Sequence, residues 1–189
     1  MKLFKLGAVG AIIVGVAIFG RGFEIVDTGH RGIETRFGEV VGESLPEGFH
    51  TYNPLTSDII EMDTRVLRVD RSEQTYTKDV QLAKLSYTVN FNLQRDKAHV
   101  VYREFGRDWQ EKIVDPVVKA AIKSTVGQWD AVELIANRDK ATNDMQAAVM
   151  KELGSKYVTL VGLELTDISY QPEFEKAVEA KVTAIQDAI

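Results

Sequence analysis

The chain contains no cysteine. Disulfides, thiolate metal sites and cysteine nucleophiles are therefore excluded, while both oxidising and reducing compartments stay open. It also lacks any excess of basic charge: 23 Lys and Arg against 28 Asp and Glu leave a formal charge of −5 at pH 7. Nucleic-acid binding calls for the opposite balance, because phosphate backbones are held by clustered Lys and Arg. Histidine is scarce. His30, His50 and His99 are far apart, and no HExxH pair or histidine–carboxylate group has metal-ligand spacing, so no metal site is expected. Glycine is plentiful, yet it forms no GxGxxG after a strand, no P-loop with its lysine and no G-x-S-x-G elbow. A dispersed hydrolase site is the enzymatic arrangement left open, since carboxylate pairs assemble only in the fold.

What is present first is an uncharged run. Leu6 to Gly20 spans fifteen residues without a charged side chain, and as a helix it would reach about 22 Å, short of a hydrocarbon core of about 30 Å. Leu3, Phe4 and Phe23 extend it, and the long stems of Lys5 and Arg21 can lie in hydrocarbon with their charges at the headgroups. A membrane anchor is expected. Gly7, Ala11 and Gly15 recur every four residues, a small-xxx-small face on which helices approach closely. The competing reading is a cleaved signal peptide, with Lys2 and Lys5 as the basic region, Leu6 to Val14 as the apolar centre and Gly15-Val16-Ala17 as the small-x-small site. Against it, the apolar run continues through Ile18 and Phe19. Charges flank the segment on both sides, and long following domains translocate largely regardless of them. The expectation is a cationic tail inside and the main domain on the trans side, the periplasmic face of a bacterial inner membrane or the intermembrane-space face of a mitochondrion.

Of 189 residues, 169 follow Gly20, and the whole chain is 44% apolar and 27% charged, the composition of a packed, soluble body. Phe23 to Asp27 and Arg31 to Phe37 read as strands joined by Thr28-Gly29-His30, which predicts a hairpin. Ile59 to Val69 resumes an extended segment with Ile60, Met62, Thr64 and Val66 on one face. Leu85, Tyr87, Val89, Phe91 and Leu93 then alternate with polar residues, the mark of a half-exposed, antiparallel sheet.

After Leu93 the period becomes helical. Asp96 is expected to cap a short helix closed by Gly106. Asp108 with Glu111 resembles a capping box ahead of a stripe of Ile113, Val117, Ala120, Ala121 and Val126, with Pro116 marking a kink or a first turn. Asp130 with Glu133 repeats the capping pattern, and Gly154 is the expected left-handed cap. Tyr157 to Tyr170 returns to strand composition, with a bulge expected near Thr166-Asp167. Pro172 opens a last helix in which Val178, Val182, Ile185 and Ile189 follow the 4,3,4 spacing of a heptad seam. Trp109 and Trp129 read as core, with a lipid-interface role as the alternative, whereas Phe23, Phe37, Phe49 and Tyr52 are the better candidates for touching a bilayer.

In order along the chain stand Gly29-His30-Arg31-Gly32-Ile33 with Arg36-Phe37-Gly38, Leu45-Pro46-Glu47-Gly48-Phe49-His50 before Asn53-Pro54, Asp63-Thr64-Arg65, Gln128-Trp129-Asp130-Ala131-Val132-Glu133-Leu134-Ile135 with Arg138, and Phe174 to Lys181. On these strings the chain resembles the SPFH or band 7 superfamily and, within it, the prohibitin branch. The resemblance implies an α+β fold: a transmembrane anchor at 1–22, a membrane-proximal β-rich part at 23–95, a helix–strand part at 96–171, and at 172–189 the start of an assembly helix that relatives continue as a coiled coil. It implies a scaffold subunit without cofactor or catalysis, assembled with copies of itself or of a homologous subunit in a ring that organises a membrane patch and restrains partners such as a membrane-bound AAA protease. Oligomer-interface candidates are Val178, Val182, Ile185 and Ile189, and membrane-contact candidates are Phe23, Phe49 and Tyr52. An exported, signal-cleaved hydrolase or small-ligand-binding domain is the alternative.

Overall fold

The computed structural model describes residues 22–174, 176 and 178. The expected anchor segment and Val182, Ile185 and Ile189 lie outside the described residues. Among the described residues no helix is long and apolar enough to cross a membrane. The fold is α+β, and the chain divides into two compact units that interleave in sequence: residues up to Arg65 with Leu93–Arg107, and Val66–Asn92 with Asp108 onward.

The first unit holds strands β1 (Phe23–Val26), β2 (His30–Arg36), β3 (Glu39–Val40), β4 (Gly48–Thr51) and β5 (Ser57–Asp63), and helix α1 (Ala98–Phe105). The expected β1–β2 hairpin does not form. β1 pairs antiparallel with β4, while β2 lies between β3 and β5. The link at Thr28-Gly29-His30 closes a local turn, the His30 amide donating to the Asp27 carbonyl (3.0 Å), while Gly29 bonds outward: its amide donates to Glu47 Oε2 (3.0 Å) and its carbonyl accepts from the Thr64 amide (2.9 Å) and hydroxyl (2.8 Å). The chain turns there, but β1 and β2 each take another partner and enter different sheets. Val26, Ile33, Ile60 and Met62 form the core of this unit. Thr64 is buried with them, but Val66 is exposed, because the extended segment breaks between β5 and the next strand.

The second unit holds β6 (Leu67–Tyr76), β7 (Leu82–Leu93), α2 (Asp115–Val126), α3 (Ala131–Ala136), α4 (Arg138–Gly154) and β8 (Val158–Tyr170), with β7 central in a three-stranded sheet. Leu85, Tyr87, Val89, Phe91 and Leu93 are all buried, as their alternation requires. The expected boundary at 95/96 assigned β6 and β7 to the membrane-proximal part. They fold instead with the helices, since β8 completes their sheet.

A five-residue π-helical turn, Gln110–Val114, precedes α2, with the Asp115 amide reaching back to the Gln110 carbonyl. Pro116 follows at the start of α2, where a missing amide and the ring's bulk favour a widened turn. The extra residue rotates the helix phase. Of the expected stripe Ile113, Ala121 and Val126 are buried, but Val117 is only half-buried and Ala120 is exposed, and Val114, Val118, Ile122 and Thr125 are buried beside them. Trp109 is 3% exposed and meets Phe91 edge to face at 5.9 Å, so it is a core residue. In β8 the buried parity changes at Gly162, between Val158 and Leu160 on one side and Leu163 and Leu165 on the other, rather than near Thr166. α4 ends at Gly154 with an ordinary right-handed cap at Ser155, and Tyr157 takes the left-handed backbone (φ 61°).

Candidate functional site

Strand alternation builds one apolar face in the first unit. Phe23 and Ile25 point to the same side of β1, and the register places Phe49 opposite Ile25. All three are exposed, at 48%, 60% and 64%, while Val26 on the other side is buried. The rings of Phe23 and Phe49 stack with centroids 5.8 Å apart. Two of the three expected membrane-contact residues are thus brought together. Tyr52 is half-buried, and its amide donates to the Gly22 carbonyl (3.0 Å), at the point where the chain arrives from the uncharged segment. Ile25 was missed by sequence reading, although its period-two spacing from Phe23 marks it. Leu45 does not join the face: it is half-buried and exchanges backbone bonds with Gly32 at 2.7 and 3.1 Å.

Two loops hold this unit's geometry. Ser44 Oγ accepts the His99 amide (2.9 Å) and lies 2.9 Å from His99 Nδ1, so a residue far back in sequence caps α1, not Asp96. Burial and then Arg103 push the His99 imidazole below its ordinary pKa, favouring the neutral ring that can accept from the Ser44 hydroxyl. Asp63 is held below the usual carboxylate range chiefly by hydrogen bonds from Arg65, 2.7 Å away at closest. His50 Nε2 lies 2.6 Å from the Pro46 carbonyl.

In the second unit the β6–β7 loop reaches the start of α3. Asp79 Oδ1 accepts the Ala131 amide (3.0 Å) and the Thr77 hydroxyl (2.5 Å), while Asp130 makes no side-chain cap and pairs weakly with Lys78 (3.8 Å). Tyr170 donates its hydroxyl to the Ala131 carbonyl (3.1 Å) and tilts against Phe174 (5.2 Å), fixing the end of β8 where the last helix starts. Burial, aided by Asp79, pushes that phenol up to about 12. Val178, the one described residue of the expected seam, is half-buried. Trp129 lies under the Lys140 ammonium (5.4 Å), a cation–π contact.

None of these groups makes a nucleophile–base–orienter chain, and among the described residues no three metal-ligating side chains converge. A shallow depression of about 510 Å³ between α2 and α4, lined by Val117, Ala120 and Ala148, is open and mostly apolar. Its rim is Lys151 and Glu152.

These features define an α+β body of two interleaved units, with an exposed apolar ladder beside the point where an uncharged N-terminal run arrives. The family model for the SPFH domain / Band 7 family matches residues 24–189, and the chain belongs to that family, on its prohibitin-like branch. It is 34% identical over 167 residues to Prohibitin-2 of Schizosaccharomyces pombe, covering 86% of this chain and 57% of that protein. To Prohibitin-2 of Saccharomyces cerevisiae it is 30% identical over 187 residues, covering 98% and 58%. To the mitochondrial Prohibitin-7 of Arabidopsis thaliana it is 28% identical over 187 residues, covering 98% and 66%. The chain therefore spans roughly three fifths of the length of the curated relatives it matches.

Proposed function

We propose that this chain is a membrane-anchored scaffold subunit rather than an enzyme. Residues 1–22 hold it in the bilayer, with the N-terminus inside and both folded units on the trans side. The Phe23–Ile25–Phe49 face rests on the membrane surface, and the helix from Pro172 joins neighbouring copies, or a homologous subunit, through Val178, Val182, Ile185 and Ile189. The observation that carries the reading is the exposed apolar ladder one residue after Gly22. Burying a large apolar side chain is worth about 1.5–3 kcal/mol, so an exposed cluster of three beside an anchor favours a second contact with lipid over free solvent.

The work of such a subunit is geometric. Weak lateral contacts, repeated around a closed ring, become persistent through multivalency and wall off a membrane patch. Partners inside or against that wall, such as a membrane-bound AAA protease, are then restrained by access rather than by chemistry.

Carbonate extraction of membranes, with mass measurement of the mature N-terminus, tests the anchor: the chain stays in the pellet with residues 1–22 intact. A soluble species beginning near Ile18 would refute it and favour the exported, signal-cleaved alternative. Replacing Val182 and Ile185 by Asp tests assembly, since it puts buried charge at every repeat of a seam. Particle mass in detergent should collapse while circular dichroism is unchanged. Intact large particles, or an unfolded monomer, would show that the helix packs elsewhere.

A further inference from the structure

We propose that the Phe37–Gly38 turn, together with Leu55 beside it, is a bilayer-inserting tip that gives the first unit a lipid contact distinct from the β1–β4 face; this rests on the membrane-anchored reading above. The turn joins β2 to β3 by two residues, and both have positive φ, 50° at Phe37 and 87° at Gly38. Two-residue hairpin turns of this hand are built from Asn, Asp and Gly, whose small or absent side chains tolerate the left-handed region. Phe37 is none of these. It is also 82% exposed, so neither backbone preference nor burial within the fold explains a phenylalanine there. It lines an open depression with Tyr102 and Arg103 but buries little surface there, and a residue so costly with so small a return in the fold points to a partner outside it.

The neighbouring loop points the same way. The Phe37 amide donates to the Thr56 carbonyl (2.9 Å), placing Leu55 next to the turn. Asn53 holds that loop: its side-chain oxygen accepts the Leu55 amide (3.0 Å) and its carbonyl accepts the amides of Thr56 (3.1 Å) and Ser57 (2.8 Å). So fixed, Leu55 is 69% exposed.

What selects lipid as the occupant is where the rest of the chain arrives. Tyr52 bonds the Gly22 carbonyl, and three residues of extended chain span at most about 11 Å, so Leu55 lies close to the point where residues 1–21 join this unit. The tip is thus at the anchor's end of the unit. Arg36, immediately before Phe37, is ion-paired with Glu34 (3.3 Å) but more than half exposed, and its long stem can lie along the hydrocarbon with the guanidinium at the headgroups. An anchor alone leaves the unit free to swivel. A tip and a face together set its tilt on the membrane.

The absence of native cysteine makes the test direct. Leu55→Cys in the full chain, labelled with an environment-sensitive fluorophore, is reconstituted in phosphatidylcholine–phosphatidylglycerol vesicles with and without a lipid-borne quencher. The label is quenched by the lipid quencher and shielded from aqueous iodide. Adding Phe37→Asn reduces the lipid quenching several-fold. The same Phe37→Asn change leaves the melting temperature unchanged or raises it by about 2–4 °C, because Asn suits the left-handed turn. A label open to iodide on floating vesicles overturns the tip while leaving the anchor standing. A label shielded from both quenchers signifies a protein partner and overturns it equally. So does a large fall in melting temperature, which would give Phe37 a role in the fold. A chain that does not float with vesicles overturns the anchored reading and the tip with it.

Discussion

Removing the Asp79 carboxylate should loosen the second unit more than removing Asp130, although Asp130 occupies the capping position. Asp79 Oδ1 satisfies the Ala131 amide at 3.0 Å and also takes the Thr77 hydroxyl, whereas Asp130 makes no cap bond and only a 3.8 Å ion pair between exposed groups. Loss of a capping acceptor costs about 0.5–2 kcal/mol, and an exposed ion pair about 0–1 kcal/mol. Asp79→Ala is therefore expected to cost about 1–2 kcal/mol, a fall of about 2–8 °C in melting temperature for a body of this size. Asp130→Ala should stay within about 0.5 kcal/mol, and Asp79→Asn, which keeps an oxygen acceptor, should fall between. Thermal unfolding by circular dichroism measures all three, and amide exchange at Ala131 localises the effect. The pH dependence supplies a second check. Burial pushes the Asp79 carboxyl up, but hydrogen bonds from Thr77 and Ala131 outweigh it and leave the pKa below its ordinary value of 3.8. A depressed folded-state pKa contributes stability that is present above 3.8 and is lost as pH falls through the lower folded value. Asp79→Ala should therefore flatten the acid limb of the stability curve. If Asp130→Ala proves the more damaging, the local capping box holds α3 and the long-range cap does not.

Two further perturbations probe the cores. Trp109→Ala should cost about 3–5 kcal/mol in denaturant unfolding, because its indole is buried against Phe91; a loss below about 1 kcal/mol would return it to the lipid interface. Gly32→Ala would place a Cβ 2.8 Å from Val26 Cγ2 and 3.1 Å from Ile59 Cγ2, so overpacking of about 1–3 kcal/mol should appear as a lower melting temperature, and an unchanged one would mean that β1 can yield.

Local chemistry was well marked in the sequence and long-range choice was not. The alternation from Leu85 to Leu93, the glycine closing α1 at Gly106 and the helical start at Pro172 each follow from rules acting within a few residues, and each stands in the fold. Asp130 and Asp96 looked like caps because they had the right chemistry at the right spacing. Ser44 and Asp79 took the roles because loops distant in sequence carried equivalent oxygens to the same amides. Periodicity likewise assumed a constant turn, so the π-helical residues before α2 displaced Val117 and Ala120 from the expected stripe. Phe23 and Phe49 could be proposed separately as surface aromatics, but their stacking required the β1–β4 pairing, which the Gly29 link conceals.

The interleaving of the two units has a consequence for synthesis. The chain crosses between them after Arg65, Asn92 and Arg107, so neither can be completed as the ribosome delivers one uninterrupted stretch. β7 is finished long before β8, its second neighbour, begins at Val158. At about 5–20 residues per second that interval is roughly 3–13 s. Throughout it the second edge of β7 presents unpaired backbone N–H and C=O groups, and such an edge is a template for mispairing. Nascent copies held close to one another would each display that edge, so crowding during synthesis raises the demand for a chaperone.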